Sequence, residues 1–172
     1  MKSPISFIIF FIGFILQSTI MMPLRIGGVS PNIILCLVIV FAFLFDNYQC
    51  FVFAILFGLL QDICFSQTIG VAAGSYFLVA MGVYALQGLV NKENRLSIIC
   101  TTIGGTLVYS LLYGCISTVF GASYSALVIL KVQPILIIYN IVVVMILYSI
   151  FARKVIRHKE DKNFKGKFIS YE

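Results

Sequence analysis

The chain has 172 residues, of which 61% are hydrophobic and 10% charged; its mean hydropathy is +1.08 and its formal net charge +6. No aqueous core of a domain this size could absorb so much apolar surface, so the composition excludes a soluble fold and calls for one dissolved in lipid. Between Lys2 and Lys131 the only Asp, Glu, Lys or Arg residues are Arg25, Asp46, Asp62, Lys92, Glu93 and Arg95, which punctuate long apolar runs.

Backbone amides in lipid must be satisfied within one segment or around a closed barrel, and uninterrupted apolar runs favour helices over the ten-residue alternation of barrel strands. At about 20 residues per span, the length leaves room for five or six helices. The first is predicted over residues 4–22, where Met22, Pro23, Leu24 and Arg25 and then Gly27 and Gly28 break the pattern. Pro31 and Asn32 open a second helix that runs to residue 45, and Asp46 and Asn47 separate it from a third over residues 48–61. Both are short for a span: roughly 15 residues cover about 22 Å, so these helices must be tucked into the bundle, extended by their flanks, or fused into one bent segment. Helix four is predicted over residues 70–90, helix five over 96–120 and helix six over 132–152, with a basic tail at 153–172. The expected architecture is an all-α integral membrane protein, a bundle of six transmembrane helices.

Orientation follows from the basic residues, which collect on the cytoplasmic side in short flanks. With six spans, one side holds Lys2, Lys92, Arg95 and the seven basic residues from Arg153 to Lys167, ten in all, and the other only Arg25 and Lys131. A five-span chain loses this asymmetry, so both ends are placed inside. Lys2 ahead of an apolar stretch also suits a secretory signal, but no small-residue cleavage pattern follows, and helix one is expected to be retained. The five cysteines, Cys36, Cys50, Cys64, Cys100 and Cys115, are odd in number and widely spaced, and are read as small packing residues.

The chain is poor in catalytic chemistry. His158, the only histidine, lies in the tail, which leaves the bundle without a histidine-based triad or metal cluster. Asp46 and Asp62 bracket one short helix at opposite ends, so they cannot form an intramembrane aspartyl pair. No nucleophile elbow or phosphate-binding loop is present, and neither an enzyme nor a cofactor is implied. The basic tail sits beside a span, where topology and anionic headgroups explain it better than nucleic acid does.

The sharpest local signal is Gly58-Leu59-Leu60-Gln61-Asp62, which puts a carboxylate and an amide at the outer end of helix three. Two readings of Asp62 stand open: an interfacial residue that caps the next turn, or a site that pairs with Arg25, Lys131 or another protein. Gly70 and Gly74, with Gly82 beyond, give helix four a Gly-x-x-x-Gly face suited to close helix packing, within the chain before any partner contact. Helix five repeats the theme with Gly104, Gly105 and Gly114 among threonines and serines whose hydroxyls can bond back to the preceding turn. Asn140, near the middle of helix six, must turn inward and hydrogen-bond to a neighbour such as helix five; Gln17 and Gln87 admit the same explanation.

The order of these motifs carries a resemblance. Leu16-Gln17-Ser18-Thr19 closing helix one, Pro31-Asn32-Ile33-Ile34-Leu35 opening helix two, then Gly58-Leu59-Leu60-Gln61-Asp62 and Gly70 before helix four, resemble the MreD family of rod shape-determining membrane proteins. The match is strongest over residues 16–70; after Gly88 only hydropathy agrees, and the Lys92-Glu93-Asn94-Arg95 loop follows no family pattern. The resemblance implies a non-enzymatic scaffold of the bacterial elongation complex in the cytoplasmic membrane. It would support cell shape and lateral peptidoglycan synthesis beside the bitopic protein MreC, the MreB filament and the RodA-type glycosyltransferase with its transpeptidase. Pro31, Gly58, Asp62, Gly70 and Gly74 are the positions expected to serve either a partner contact or the fold. The competing reading is a substrate-binding subunit of an energy-coupling vitamin transporter, which such a bundle resembles in length, helix number and inner basic loops. Against it, helix one is bulky at Ile8-Ile9-Phe10-Phe11-Ile12 where docking needs small residues, the chain has no Trp, and Tyr76, Tyr109 and Tyr124 are scattered along the sequence.

Overall fold

The computed structural model describes the backbone of residues 3–20, 29–45, 48–66, 68–92, 94–121 and 126–169, and the side chains of these except at 3, 20, 126–130 and 153–169. Arg25, Asp46, Glu93 and Tyr124, and the side chains of the basic tail, lie outside the described residues. Among the described residues there are six α-helices and no strand: α1 Ser3–Ile20, α2 Ile33–Leu44, α3 Gln49–Phe65, α4 Val71–Leu86, α5 Arg95–Val119 and α6 Ala126–Ile169. Two stretches are long and apolar enough to cross a bilayer by themselves, Arg95–Val119 and Lys131–Ala152; those within α1 to α4 are shorter.

α2 is the axis of the bundle. Each of its 12 residues is buried, and it packs against all five other helices. A helix that is apolar all round has no solvent face to present, and its natural place is inside a shell of others. At about 1.5 Å per residue it spans only about 18 Å; of the arrangements open to so short a helix, α2 takes the tucked one, and a break at Phe45 separates it from α3. Phe10 of α1, Phe41 of α2 and Phe53 and Phe57 of α3 form the aromatic centre, with Phe10 5.1–5.4 Å from the other three rings.

Four predicted boundaries move. α3 continues past Gln61 to Phe65, so Asp62 lies within its last turn instead of ending it. α4 stops at Leu86, because the chain turns through Gln87 and Gly88 before reaching residue 90. α6 starts before residue 132 and carries Pro134 inside it. As the ninth residue of the helix, beyond its first turn, this proline forgoes the backbone bond to the carbonyl four residues back. Beyond Ala152 the same helix continues without interruption to Ile169.

The cysteines divide. Cys36 and Cys50 are buried as packing residues, but Cys64, Cys100 and Cys115 are exposed, and none of the five is in a disulfide. On helices clothed by lipid, a small apolar thiol is as stable facing outward as inward, so burial does not follow from residue type there.

Candidate functional site

Polar side chains from several helices meet at the two ends of α2. A helix leaves its first N–H and last C=O groups without partners, and inside a bundle no water reaches them. At the N-terminal end, Asn32 accepts from Leu35 N–H at 3.0 Å through its own Oδ1, as an N-cap residue should. Gln17 of α1 accepts from Ile34 N–H at 2.9 Å. Asn140 of α6 accepts from Asn32 N–H at 3.1 Å and donates through Nδ2 to Thr106 Oγ1 of α5 at 3.2 Å. Asn140, fully buried, therefore turns inward to α5 as its sequence position demands, and it clasps α2 as well.

The joint extends into α3 and α4. Gln17 Nε2 donates to Gln61 Oε1 at 3.0 Å, and the Tyr76 hydroxyl lies 2.8 Å from Gln61 Oε1 and 2.9 Å from Asn32 Oδ1. Having one proton, Tyr76 donates to one of these oxygens at a time. Its ring stacks on Tyr109 of α5 with centroids 5.1 Å apart, so two tyrosines scattered in sequence meet in space. Side chains from α1, α3, α4, α5 and α6 thus gather around Asn32 and the first amides of α2. Pro31 explains how the chain enters here: Val29, Pro31 and Asn32 are buried although non-helical. Such backbone is stable inside a bundle only if its polar groups are matched, and proline brings no N–H to match.

At the other end of α2, Gln87 donates through Nε2 to the carbonyls of Ala42 and Phe45, and its Oε1 accepts from Lys92 Nζ at 3.3 Å. The Tyr148 hydroxyl of α6 donates to Lys92 C=O at 2.8 Å, tying the loop down. Gln87 thus joins helices, as expected of it.

The Gly58-to-Gly70 motif builds the α3–α4 hairpin. Asp62, 1% exposed, accepts from the backbone N–H groups of Gly70 at 2.9 Å, Ala72 at 2.9 Å and Ala73 at 3.3 Å. It caps α4 from the preceding helix. Of the two sequence readings of Asp62, these hydrogen bonds realise the cap of the following turn; Arg25 lies outside the described residues. Gly70 occupies the N-cap position of α4 at φ +99°, where it supplies no side chain of its own. The carboxylate of Asp62 fills that role.

The close approach expected of Gly70 and Gly74 falls elsewhere. Nothing would come within 4 Å of a Cβ at Gly70, and at Gly74 only Ile116 Cδ1 would, at 4.0 Å. A Cβ at Gly58 would instead sit 2.4 Å from Ala73 Cα, so this glycine is what lets α3 and α4 touch backbone to backbone. On α5, Gly105 packs against Ile39 of α2, while Gly104 beside it is open. Thr101, Thr102 and Thr118 donate to carbonyls four residues back, at 2.7–2.8 Å, as expected.

Sequence reasoning set Tyr76 and Tyr109 aside as scattered and did not single out Gln133, which donates to Thr106 C=O at 3.4 Å. The available signal was scarcity: in so apolar a chain, a hydroxyl or amide away from both helix ends has few places to be satisfied except against another helix. Among the described residues no three His, Cys, Asp or Glu side chains gather as a metal site would require.

The fold and this joint define an all-helical membrane protein whose buried polar side chains link one helix to another. Residues 3–157 match the family model described as rod shape-determining protein MreD, and the chain belongs to that family. No curated protein and no solved structure matches it. Membership gives the protein a role in determining rod shape.

Proposed function

We propose that this protein is a non-enzymatic scaffold of the bacterial elongation complex. It crosses the cytoplasmic membrane six times with both ends in the cytosol, and an exposed small-residue or polar face of the bundle binds the transmembrane helix of an MreC-like bitopic protein. The inner basic rim then lies near anionic lipid and an MreB-like filament, and the assembly positions a RodA-type glycosyltransferase and its transpeptidase for lateral peptidoglycan synthesis. Family membership supports the setting, and the distribution of basic residues supports the orientation.

The observation that carries the scaffold role is the joint around α2. Asn32, Gln17, Gln61, Tyr76 and Asn140 are engaged with one another or with helix ends, so what these polar groups supply is a fixed spacing of helices. A fixed bundle offers its outer faces to partners. Depletion in a rod-shaped host should give rounded cells with delocalised wall synthesis, and the protein should co-purify with a bitopic MreC-like protein. Normal shape with a new vitamin requirement would instead make it a transporter subunit.

A further inference from the structure

A lateral groove runs between α4 and α5, with a volume of about 510 Å³. Leu78, Leu86, Leu96 and Val108 form its walls, and Gly82 and Gly104 open it, since a Cβ at either would meet nothing within 4 Å. Its occupant can be judged by length and lining. From Leu96 to Val108 the groove follows α5 for about 18 Å at 1.5 Å per residue, close to the depth of one leaflet of a hydrocarbon core about 30 Å thick. Apolar walls of that length match an acyl chain.

Charge marks only one of its mouths. Leu96 and Ser97 line that end, and Arg95, exposed at the start of α5, immediately precedes them. Lys92 lies in the adjoining turn, with Nζ 3.3 Å from Gln87 Oε1. α5 begins there, so the positive end of its dipole adds to the same field. Glu93 lies outside the described residues, and the far end, at Leu78 and Val108, carries no charged lining residue. An apolar channel with cations at a single mouth is complementary to an amphiphile with an anionic head.

We propose that the α4–α5 groove is a binding site for one anionic phospholipid, with an acyl chain between Gly82 and Gly104 and the phosphate at Arg95. This goes beyond the scaffold role and does not depend on it, requiring only that α5 cross the bilayer. The test uses the full chain in detergent, with phosphatidylglycerol and phosphatidylcholine of identical acyl chains as probes and native mass spectrometry to count retained lipid. The wild type should retain one phosphatidylglycerol in preference to phosphatidylcholine. Arg95→Gln should lower that preference about fivefold, the effect of one cation near an anionic headgroup. Gly104→Leu should abolish retention of both lipids by filling the channel; Gly82→Leu fills it from the opposite wall and serves if the first variant does not fold.

Cys100 lines the groove, whereas Cys64 and Cys115 are exposed outside it. Phosphatidylglycerol should therefore slow maleimide labelling of Cys100 and leave the other two unchanged. Equal retention by Arg95→Gln, retention by both glycine variants, or equal labelling of all three cysteines would overturn the proposal. Crosslinking of Cys100 to a partner's transmembrane helix would also overturn it, giving the groove to a protein instead.

Discussion

α2 and α5 invert the expectation that the most apolar helix of a membrane protein is the one facing lipid. α2 has no polar residue between Ile33 and Leu44, yet it is the shortest helix and is buried at every position. α5 carries Ser97, Thr101, Thr102, Thr106, Ser110, Ser117 and Thr118, yet it is long enough to span a bilayer and exposes Leu96, Leu107, Val108 and Leu111. The difference lies in where each helix finds partners for its polar groups. Thr101, Thr102 and Thr118 return their hydroxyls to the turn below, so lipid never meets them as unsatisfied groups. α2 is too short to bring its ends to water and depends on Gln17, Asn140 and Gln87 from three other helices. In lipid, the source of a helix's end partners decides its place more than apolarity does.

Substitutions can break this contrast, and the largest effect is expected where one helix's end rests on another's carboxylate. Asp62→Ala leaves the first amides of α4 without their acceptor and should destabilise the bundle by about 3 kcal/mol, the upper range for bonds to a charged group. Unfolding in mixed micelles with increasing dodecyl sulfate measures it, and a loss below 0.5 kcal/mol, within the usual range for surface substitutions, would mean the cap contributes nothing. Asn140→Leu, which removes partners from Asn32 and Thr106, should cost about 2 kcal/mol by leaving a buried N–H unsatisfied. Its signature is faster hydrogen exchange at the start of α2, with α5 unaltered. Leu111→Ala, on the exposed face of α5, should change stability by less than about 0.5 kcal/mol; a larger loss in the same assay would show that this face packs on protein.

Much of this was legible in the sequence. Six apolar segments, the inward turn of Asn140 and the joining roles of Gln17 and Gln87 follow from one fact: an amide in a bundle must find another polar group. The place of α2 does not follow, because a segment apolar at every position has no periodicity to point a face anywhere. The absence of a close approach within the chain at Gly70 and Gly74 has a related reason. Gly-x-x-x-Gly spacing records which residues share a helix face, but whether a neighbour arrives there is decided by the tertiary fold, and it arrives at Gly58. Asp62 could be narrowed to two roles, and its partners lie eight to eleven residues ahead across a turn that spacing alone does not close.

α6 runs as a single rod of 44 residues, about 66 Å at the ordinary helical rise. Asn140, its grip on α2, sits about a third of the way along, so the helix is a lever with its fulcrum in the bundle. The hydrogen bonds that tie α6 to the start of α2 and to α5 are therefore off-centre, with the longer arm of the helix lying between Asn140 and Ile169.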